Sequence, residues 1–565
     1  MSDKQGGSRA SLASQTQTAV GSGPPSPVAA ATDKGLAIPD EAAVGDSDET
    51  RRAGPMAMSL ARKLAICSSL ALAMLLASLD VTIVTTAIPK ISLEFHALSE
   101  ATWIATAYML TTTALQPLYG RLSDTFGRTP TLIVAIAVFM GGSAACGWAP
   151  SLGVLIFGRA LQGVGSSGLV SLTFIIISDI TEEEERPAYM GVLGAVWSIA
   201  SVVGPVLGGV FADKASWRWA FWVNLPVAGA VLVIVVVFMR LPTPRDSLWV
   251  KLKQVDLLGS LVLIGAVVML LLALTWGGKT FPWGSARIVC LLVFGAAALA
   301  LFVLIEWKVA PGPTVPMHLF RIRNVWLSVV GQFFIGSGMF APTFFIPIWY
   351  TIVKNASATS GGLHLLPYLL SVSLMSIVSG FVVAKTGRYR LLVSLGTAVF
   401  VLGLGLLILF DENINTGAQI GLLFIAGFGL GFNIEILLIV VQNSAPVADM
   451  AAATTLFLFI RTLGSSIGVA VMQSVLQNAI IPKLDLLAAQ YPEYRDVFKE
   501  SLNDQSAIYT GGLPADVQAQ LVSYYVGALQ MVFIANVAIA AVSLPFTFLL
   551  KHVPLRTSVK PAAGE

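Results

Sequence analysis

The sequence predicts an all-α polytopic membrane protein with about fourteen transmembrane helices, on the strength of three observations. Hydrophobic residues make up 56% of the 565-residue chain and charged residues only 12%, with a mean hydropathy of +0.80. A soluble chain carries about 25% charged residues, roughly twice as many. Apolar runs of roughly 18 to 25 residues recur along the chain, each long enough to cross about 30 Å of hydrocarbon as a helix. A Gly…Gly-Arg spacing also occurs twice, once after the second run and once after the tenth.

The runs fall near residues 66–87, 103–119, 131–149, 153–177, 190–211, 219–240, 257–275, 287–307, 326–350, 363–383, 391–410, 419–441, 450–476 and 523–549. The segment before them, 1–60, is rich in Ser, Gly, Ala, Pro and Asp, has no secretory-signal core, and is expected to be a disordered cytosolic tail. The run starting near Leu64 is long enough to serve as an uncleaved anchor. Residues 61–240 are expected to form an N-terminal six-helix bundle, 241–310 two linker transmembrane helices, and 311–550 a C-terminal six-helix bundle. The polar stretch 477–522, with Pro482, Pro492 and Pro514, reads as an external loop, and 551–565 as a second cytosolic tail.

An even number of spans places both termini on one side. With the N-terminus inside, about 20 Lys and Arg residues are cytosolic, among them Arg62, Lys63, Arg121, Arg128, Lys385 and Arg388, against about 9 outside. Both termini are therefore expected in the cytosol. Asn355-Ala356-Ser357 then lies outside, a glycosylation sequon at Asn355. The net charge of +3 is too small and too scattered for a nucleic-acid partner. The three cysteines, Cys67, Cys146 and Cys290, lie in apolar stretches and read as small buried hydrophobes. With four histidines and no nucleophile paired with a base, neither a catalytic site nor a metal site is expected, and the chain does not read as an enzyme.

The two copies of the repeated spacing run from Gly120 to Arg128 and from Gly380 to Arg388, and indicate two six-helix halves separated by two extra helices. In the first copy, Gly120 and Gly127 would set a tight turn, and Arg121, Asp124 and Arg128 can form an ion-pair cluster; Ala384 replaces the acid in the second. The alternative is a solvated basic loop. The acidic run Glu182 to Glu185 in the next loop on that side reads as solvated charge.

Four charges interrupt apolar runs: Asp80, Arg159, Glu435 and Arg461. An ionised side chain at mid-membrane costs about 3 kcal/mol or more, so each needs a partner, water or, for the acids, a proton. Such groups can couple proton binding to conformational change, and structural hydrogen bonding without titration is the alternative; Glu435 is a candidate second proton site or a contact for a cationic substrate, with Arg461 as its candidate partner. Gly204, Gly208 and Gly209 strip side chains from the fifth helix so that a neighbour can approach, and Pro205 bends it. Large or polar side chains within spans, Trp103, Tyr108, Gln116, Trp197, Phe340, Trp349, Gln442 and Asn443, are candidates for a substrate cavity, with ordinary packing as the alternative for each.

Five stretches carry a family resemblance: Leu79-Asp80-Val81-Thr82 continuing to Ala87-Ile88-Pro89, Gly120 to Arg128, Arg159-Ala160-Leu161-Gln162-Gly163-Val164-Gly165, Gly204-Pro205-Val206-Leu207-Gly208-Gly209, and Trp217 to Pro226. Together they resemble the major facilitator superfamily, and within it the fourteen-span drug:proton antiporters of the fungal toxin and multidrug efflux type. The resemblance covers roughly residues 60–550 and implies a major facilitator fold. It implies proton transfer at Arg159, a conformational latch in the Gly120–Arg128 loop and an antiporter motif at Gly204–Gly209. The function it implies is proton-coupled export of small lipophilic compounds (secondary metabolites, toxins or drugs) across the plasma membrane by alternating access. No ATP-binding loop is present, so no cofactor is expected beyond a proton gradient as energy source. The expected partners are a small-molecule substrate and the lipid bilayer, with the chain a monomer. The rival reading is a vacuolar or uptake carrier for basic amino acids or another small solute.

Overall fold

The computed structural model describes residues 58–95, 102–244, 246–247, 249–251, 255–278, 280–310, 312–502 and 504–554. The expected tails, apart from 58–60 and 551–554, lie outside these residues. Among the described residues the chain is helical, with no strand beyond an isolated bridge between Gly277 and Phe281.

Fourteen long helices follow in order among the described residues. They are α1 (Leu60–Glu94), α2 (Thr102–Phe126), α3 (Arg128–Gly147), α4 (Leu152–Ile180), α5 (Arg186–Lys214), α6 (Trp219–Phe238) and α7 (Leu257–Trp276). The second seven are α8 (Ala286–Lys308), α9 (Arg323–Lys354), α10 (Ser360–Thr386), α11 (Tyr389–Leu409), α12 (Thr416–Ser444), α13 (Met450–Gln490) and α14 (Ala515–Phe548). Thirteen are long and apolar enough to cross a membrane. The exception, α2, carries Thr111, Thr112, Thr113 and Gln116 in mid-helix. It is wedged among α4, α7 and α13, so its polar side chains face protein and not lipid.

Local chemistry sets several boundaries. Ser59, Asp256 and Ser285 cap α1, α7 and α8 by accepting from the amides of Arg62, Gly259 and Ile288. Helix α9 breaks at Phe340, just before Pro342, which has no amide hydrogen for a continuing ladder. Helix α12 breaks at Ile434–Glu435.

The packing repeats under a shift of eight helices. Helix α1 lies on α5 as α9 lies on α13; α3 pairs with α4 as α11 with α12; α2 packs on α4 as α10 on α12. Between the halves, α2 meets α13 and α5 meets α10, again a symmetric pair. The first glycines of the two repeated loops mark those crossings. A Cβ on Gly120 would lie 2.6 Å from Thr455 Oγ1 of α13, and one on Gly380 3.1 Å from the Pro187 carbonyl carbon of α5. Gly120 is thus not a turn residue, contrary to the sequence reading: it sits inside α2 where the backbone of the other half comes close. The second glycines do turn, with φ of 96° at Gly127 and 65° at Gly387.

The stretch expected to be an external loop, 477–522, is largely helical. Helix α13 continues to Gln490 through Pro482, burying Ile480, Leu484 and Leu487. Short helices Arg495–Glu500 and Ala507–Thr510 follow, and α14 begins at Ala515. Linker helices α7 and α8 form a hairpin whose α7 leans on α2 and α13. Of the cysteines, Cys67 and Cys146 are buried, whereas Cys290 on α8 is exposed.

Candidate functional site

The charges predicted to need partners form two pairs. In the first half, Asp80 of α1 and Arg159 of α4 make an ion pair in which both side chains are essentially shut off from solvent, at 0% and 2% exposure. Gln162, one turn after Arg159, accepts from Arg159 Nη1 at 2.8 Å and donates from Nε2 to Asp80 Oδ1 at 3.0 Å. Asn224 of α6 donates to the same Asp80 oxygen at 2.9 Å, and Ser143 of α3 accepts from Gln162 at 2.6 Å. Arg159 Nε donates to the Ile104 carbonyl at 3.0 Å, and its guanidinium stacks 4.2 Å from the centre of the Tyr108 ring. Five helices therefore converge on one carboxylate and one guanidinium. Sequence reasoning had no role for Gln162, Asn224 and Ser143, although the first two lie inside motif stretches.

The second pair sits elsewhere. Glu435 lies at the break in α12, and Arg461 Nη1 on α13 is 3.8 Å from its Oε1, close enough for charge attraction but beyond hydrogen-bond reach. Glu435 Oε2 and Arg461 Nη1 have no hydrogen-bond partner among the described residues. Both side chains border the opposite half. A Cβ on Gly194 of α5 would lie 3.3 Å from Glu435 Cγ, and the Arg461 guanidinium is 5.9 Å from the Phe174 ring of α4.

Around Gly120–Arg128, Arg128 is the hub. Its Nη1 donates to Asp124 Oδ1 and Ser123 Oγ, both at 2.6 Å, and its Nε to Asp179 Oδ2 at 2.8 Å. Asp179, at the end of α4, was not visible in the loop motif. The cluster ties α2, α3 and α4 of one half together, and it reaches the other half through Gly120. Arg121 lies half-buried one turn before Arg128's partners. Replacing Arg128 by Ala leaves Asp124 and Asp179 facing each other, and thermal unfolding should show a loss of about 1–3 kcal/mol, partly restored in Arg128→Lys. The acidic run is not wholly solvated, because Glu185 pairs with Lys63 of α1.

On α5, Gly204 and Gly208 pack against α1. Added Cβ atoms would lie 2.7 Å from Thr82 Cβ and 3.1 Å from the Ile83 carbonyl carbon respectively, while at Gly209 nothing lies within 4 Å. Pro205 is inside the helix. At the far end of the same half, Glu94 accepts from the Trp217 indole at 2.6 Å and from Arg218 at 2.8 Å. The indole hydrogen bond, followed by the guanidinium, holds its carboxyl below the ordinary range.

The cavity candidates divide. Trp197 of α5 and Phe340 at the α9 break meet edge to face at 5.7 Å, across the seam between the halves. Gln116 is buried, and its Oε1 has no partner among the described residues, while Tyr108 donates to Ser166 at 2.6 Å inside the first half. Trp103 packs on Trp276 of linker helix α7. The remaining three pack inside the second half: Trp349 meets Tyr350 and Phe410 edge to face, Gln442 donates to Thr454, and Asn443 donates to the Val553 and Pro554 carbonyls. Asn355 is exposed, in left-handed conformation (φ 49°), where α9 ends.

Comparison with known proteins agrees with this architecture. Residues 70–469 match the family model described as Major Facilitator Superfamily. The chain is 38% identical to the efflux pump dotC of Dothistroma septosporum over 73% of its own length and 71% of that protein. It is 36% identical to the efflux pump aflT of Aspergillus parasiticus, over 80% and 91% respectively. Among solved structures, the human organic anion transporter MFSD10 (TETRAN) aligns with a TM-score of 0.52 at 14% identity, covering 85% of this chain and 99% of that one, a likeness of fold alone. The chain is therefore a multi-pass membrane transporter of the major facilitator superfamily, and belongs within it to the group that these fungal efflux pumps represent.

Proposed function

We propose that the protein exports small lipophilic compounds across the plasma membrane in exchange for protons, by alternating access of its two halves. The observation that carries the coupling is the buried Asp80–Arg159 network, where a carboxylate is held beside a permanent cation with no solvent. Protonating Asp80 releases Arg159 from its counter-charge, so the five helices that meet there have a reason to rearrange. Glu435 and Arg461 supply a second buried acid–base pair where the halves touch. The Gly120–Arg128 cluster then acts as the latch on the cytosolic side, and the Gly204–Gly208 face lets α1 and α5 move as a unit. Cytosolic termini follow from the charge bias of the loops. Export as the direction, and toxins, drugs or secondary metabolites as cargo, are supported by the efflux pumps among its relatives.

The test is flux in reconstituted vesicles. With an imposed pH gradient, rhodamine 6G should move against the proton flow, and movement should stop when the gradient is collapsed. Gradient-independent flux, or gradient-driven accumulation of lysine in its place, refutes the reading.

A further inference from the structure

The linker hairpin α7–α8 carries a cavity of its own, at the end opposite the Gly120–Arg128 cluster. Met269 and Trp276 of α7 and Arg287, Cys290, Leu291 and Phe294 of α8 line a space of about 320 Å³. Arg287 stands in the first turn of α8 and Phe294 two turns further on, so the slot runs about 10 Å along the helix. Cys290 and Phe294 are both exposed, which opens the slot to the side that lipid covers.

Aromatic rings gather at the mouth. Trp276 meets Trp103 at 5.7 Å and Phe281 at 6.0 Å, both edge to face, and a Cβ on Gly277 would lie 2.6 Å from the Trp283 ring. Such a girdle marks the level of the lipid headgroups. Arg287 is the only charged residue of the lining. Its guanidinium lies 4.7 Å from the centre of the Phe281 ring, and among the described residues it makes no hydrogen bond or ion pair. Arg218, at the same end of the first half, is by contrast paired with Glu94.

We propose that this slot is a binding site for a negatively charged glycerophospholipid, with the phosphate on Arg287 and one acyl chain lying along Cys290 and Phe294. The planar guanidinium matches two phosphate oxygens at once, and no acid of the lining competes for it. The apolar slot by itself selects nothing, because any lipid chain solvates it equally well. Selection therefore comes from the headgroup. A zwitterionic lipid brings its own cation beside the phosphate, and a sterol brings no charge, so both leave Arg287 with less than an anionic lipid supplies. The site needs only the multi-pass placement of the chain and is independent of the export reading.

The experiment places the full-length protein in phosphatidylcholine nanodiscs with a trace of photoreactive phosphatidylglycerol or phosphatidylcholine, both carrying the same diazirine-bearing acyl chain. Mass spectrometry counts the label on residues 287–294 against that on 531–534 of α14, where Met531 and Ile534 are exposed in mid-helix. The normalised label from phosphatidylglycerol should exceed that from phosphatidylcholine about fivefold, the scale of one arginine acting on an anionic headgroup. The two should be equal in Arg287→Gln, and phosphatidylcholine should win in Arg287→Glu, whose acid suits the first turn of a helix and leaves α8 formed. Equal labelling of the native protein by both lipids, or an undiminished preference in Arg287→Gln, overturns the proposal. So does displacement of the label by cholesterol more effectively than by unlabelled phosphatidylglycerol, which would make the slot a sterol site.

Discussion

Asp80→Asn should abolish gradient-driven flux, with an expected fall of about 100-fold or more, while substrate binding should stay within a few-fold of native. The substitution conserves volume, and its side-chain oxygen can still accept from Gln162 and Asn224. What it loses is the negative charge facing Arg159. Its new amide hydrogens point at a guanidinium that also only donates, and Arg159 is left as a buried cation without a counter-charge. Breaking a buried pair on one side costs about 3–5 kcal/mol, so thermal unfolding in detergent should also drop. A structural role predicts the same drop, and the double variant Asp80→Asn/Arg159→Gln separates the two. Removing both charges should recover much of the stability, because the uncompensated ion is gone, but none of the flux, because nothing there binds a proton. Recovery of flux along with stability assigns the pair to architecture, and unchanged flux in Asp80→Asn itself removes the coupling assignment altogether.

The residues that made this site legible are the ones expensive to leave unexplained. Asp80 and Arg159 stand out in apolar runs because hydrocarbon offers them nothing. Their pairing was not legible, since they are 79 positions apart on different helices and no sequence rule links those positions. Glu435 and Arg461 were equally visible as charges and equally mute about each other. The span pattern could be read because lipid demands long apolar runs from the helices that face it; α2, which faces protein, passed only on its length and spacing. The stretch 477–522 was misread for a reason that applies widely to prolines. Pro492 opens a short helix and Pro514 directly precedes α14, positions where a missing amide hydrogen costs nothing, so they start helices as readily as they interrupt them. Gly120 was misread because a glycine beside a loop motif looks like a turn, and only the arrival of α13 shows that its missing side chain makes room for the other half.

Within the Gly204–Gly209 element the structure divides neighbours that the motif treats alike, and Gly208→Ala and Gly209→Ala should differ sharply. A Cβ at Gly208 meets the Thr86 hydroxyl and lies 3.1 Å from the Ile83 carbonyl carbon, so α1 must move outward or α5 must rotate. Overpacking of this kind costs about 1–3 kcal/mol, and the same shift reaches Asp80 through α1, whose Thr82 also donates to the Ala200 carbonyl of α5 at 3.2 Å. Flux should fall at least about tenfold, as expected when a distant misplacement disturbs a tight constellation. At Gly209 the added methyl meets nothing within 4 Å, and a helix interior gains from exchanging Gly for Ala, so stability should change by no more than about 1 kcal/mol, in the stabilising direction. Thermal unfolding and vesicle flux on the two variants provide the comparison. If Gly209→Ala is as damaging as Gly208→Ala, close approach of α1 is not what the element provides, and its role must lie in bending at Pro205 or in a conformation where Gly209 is no longer open.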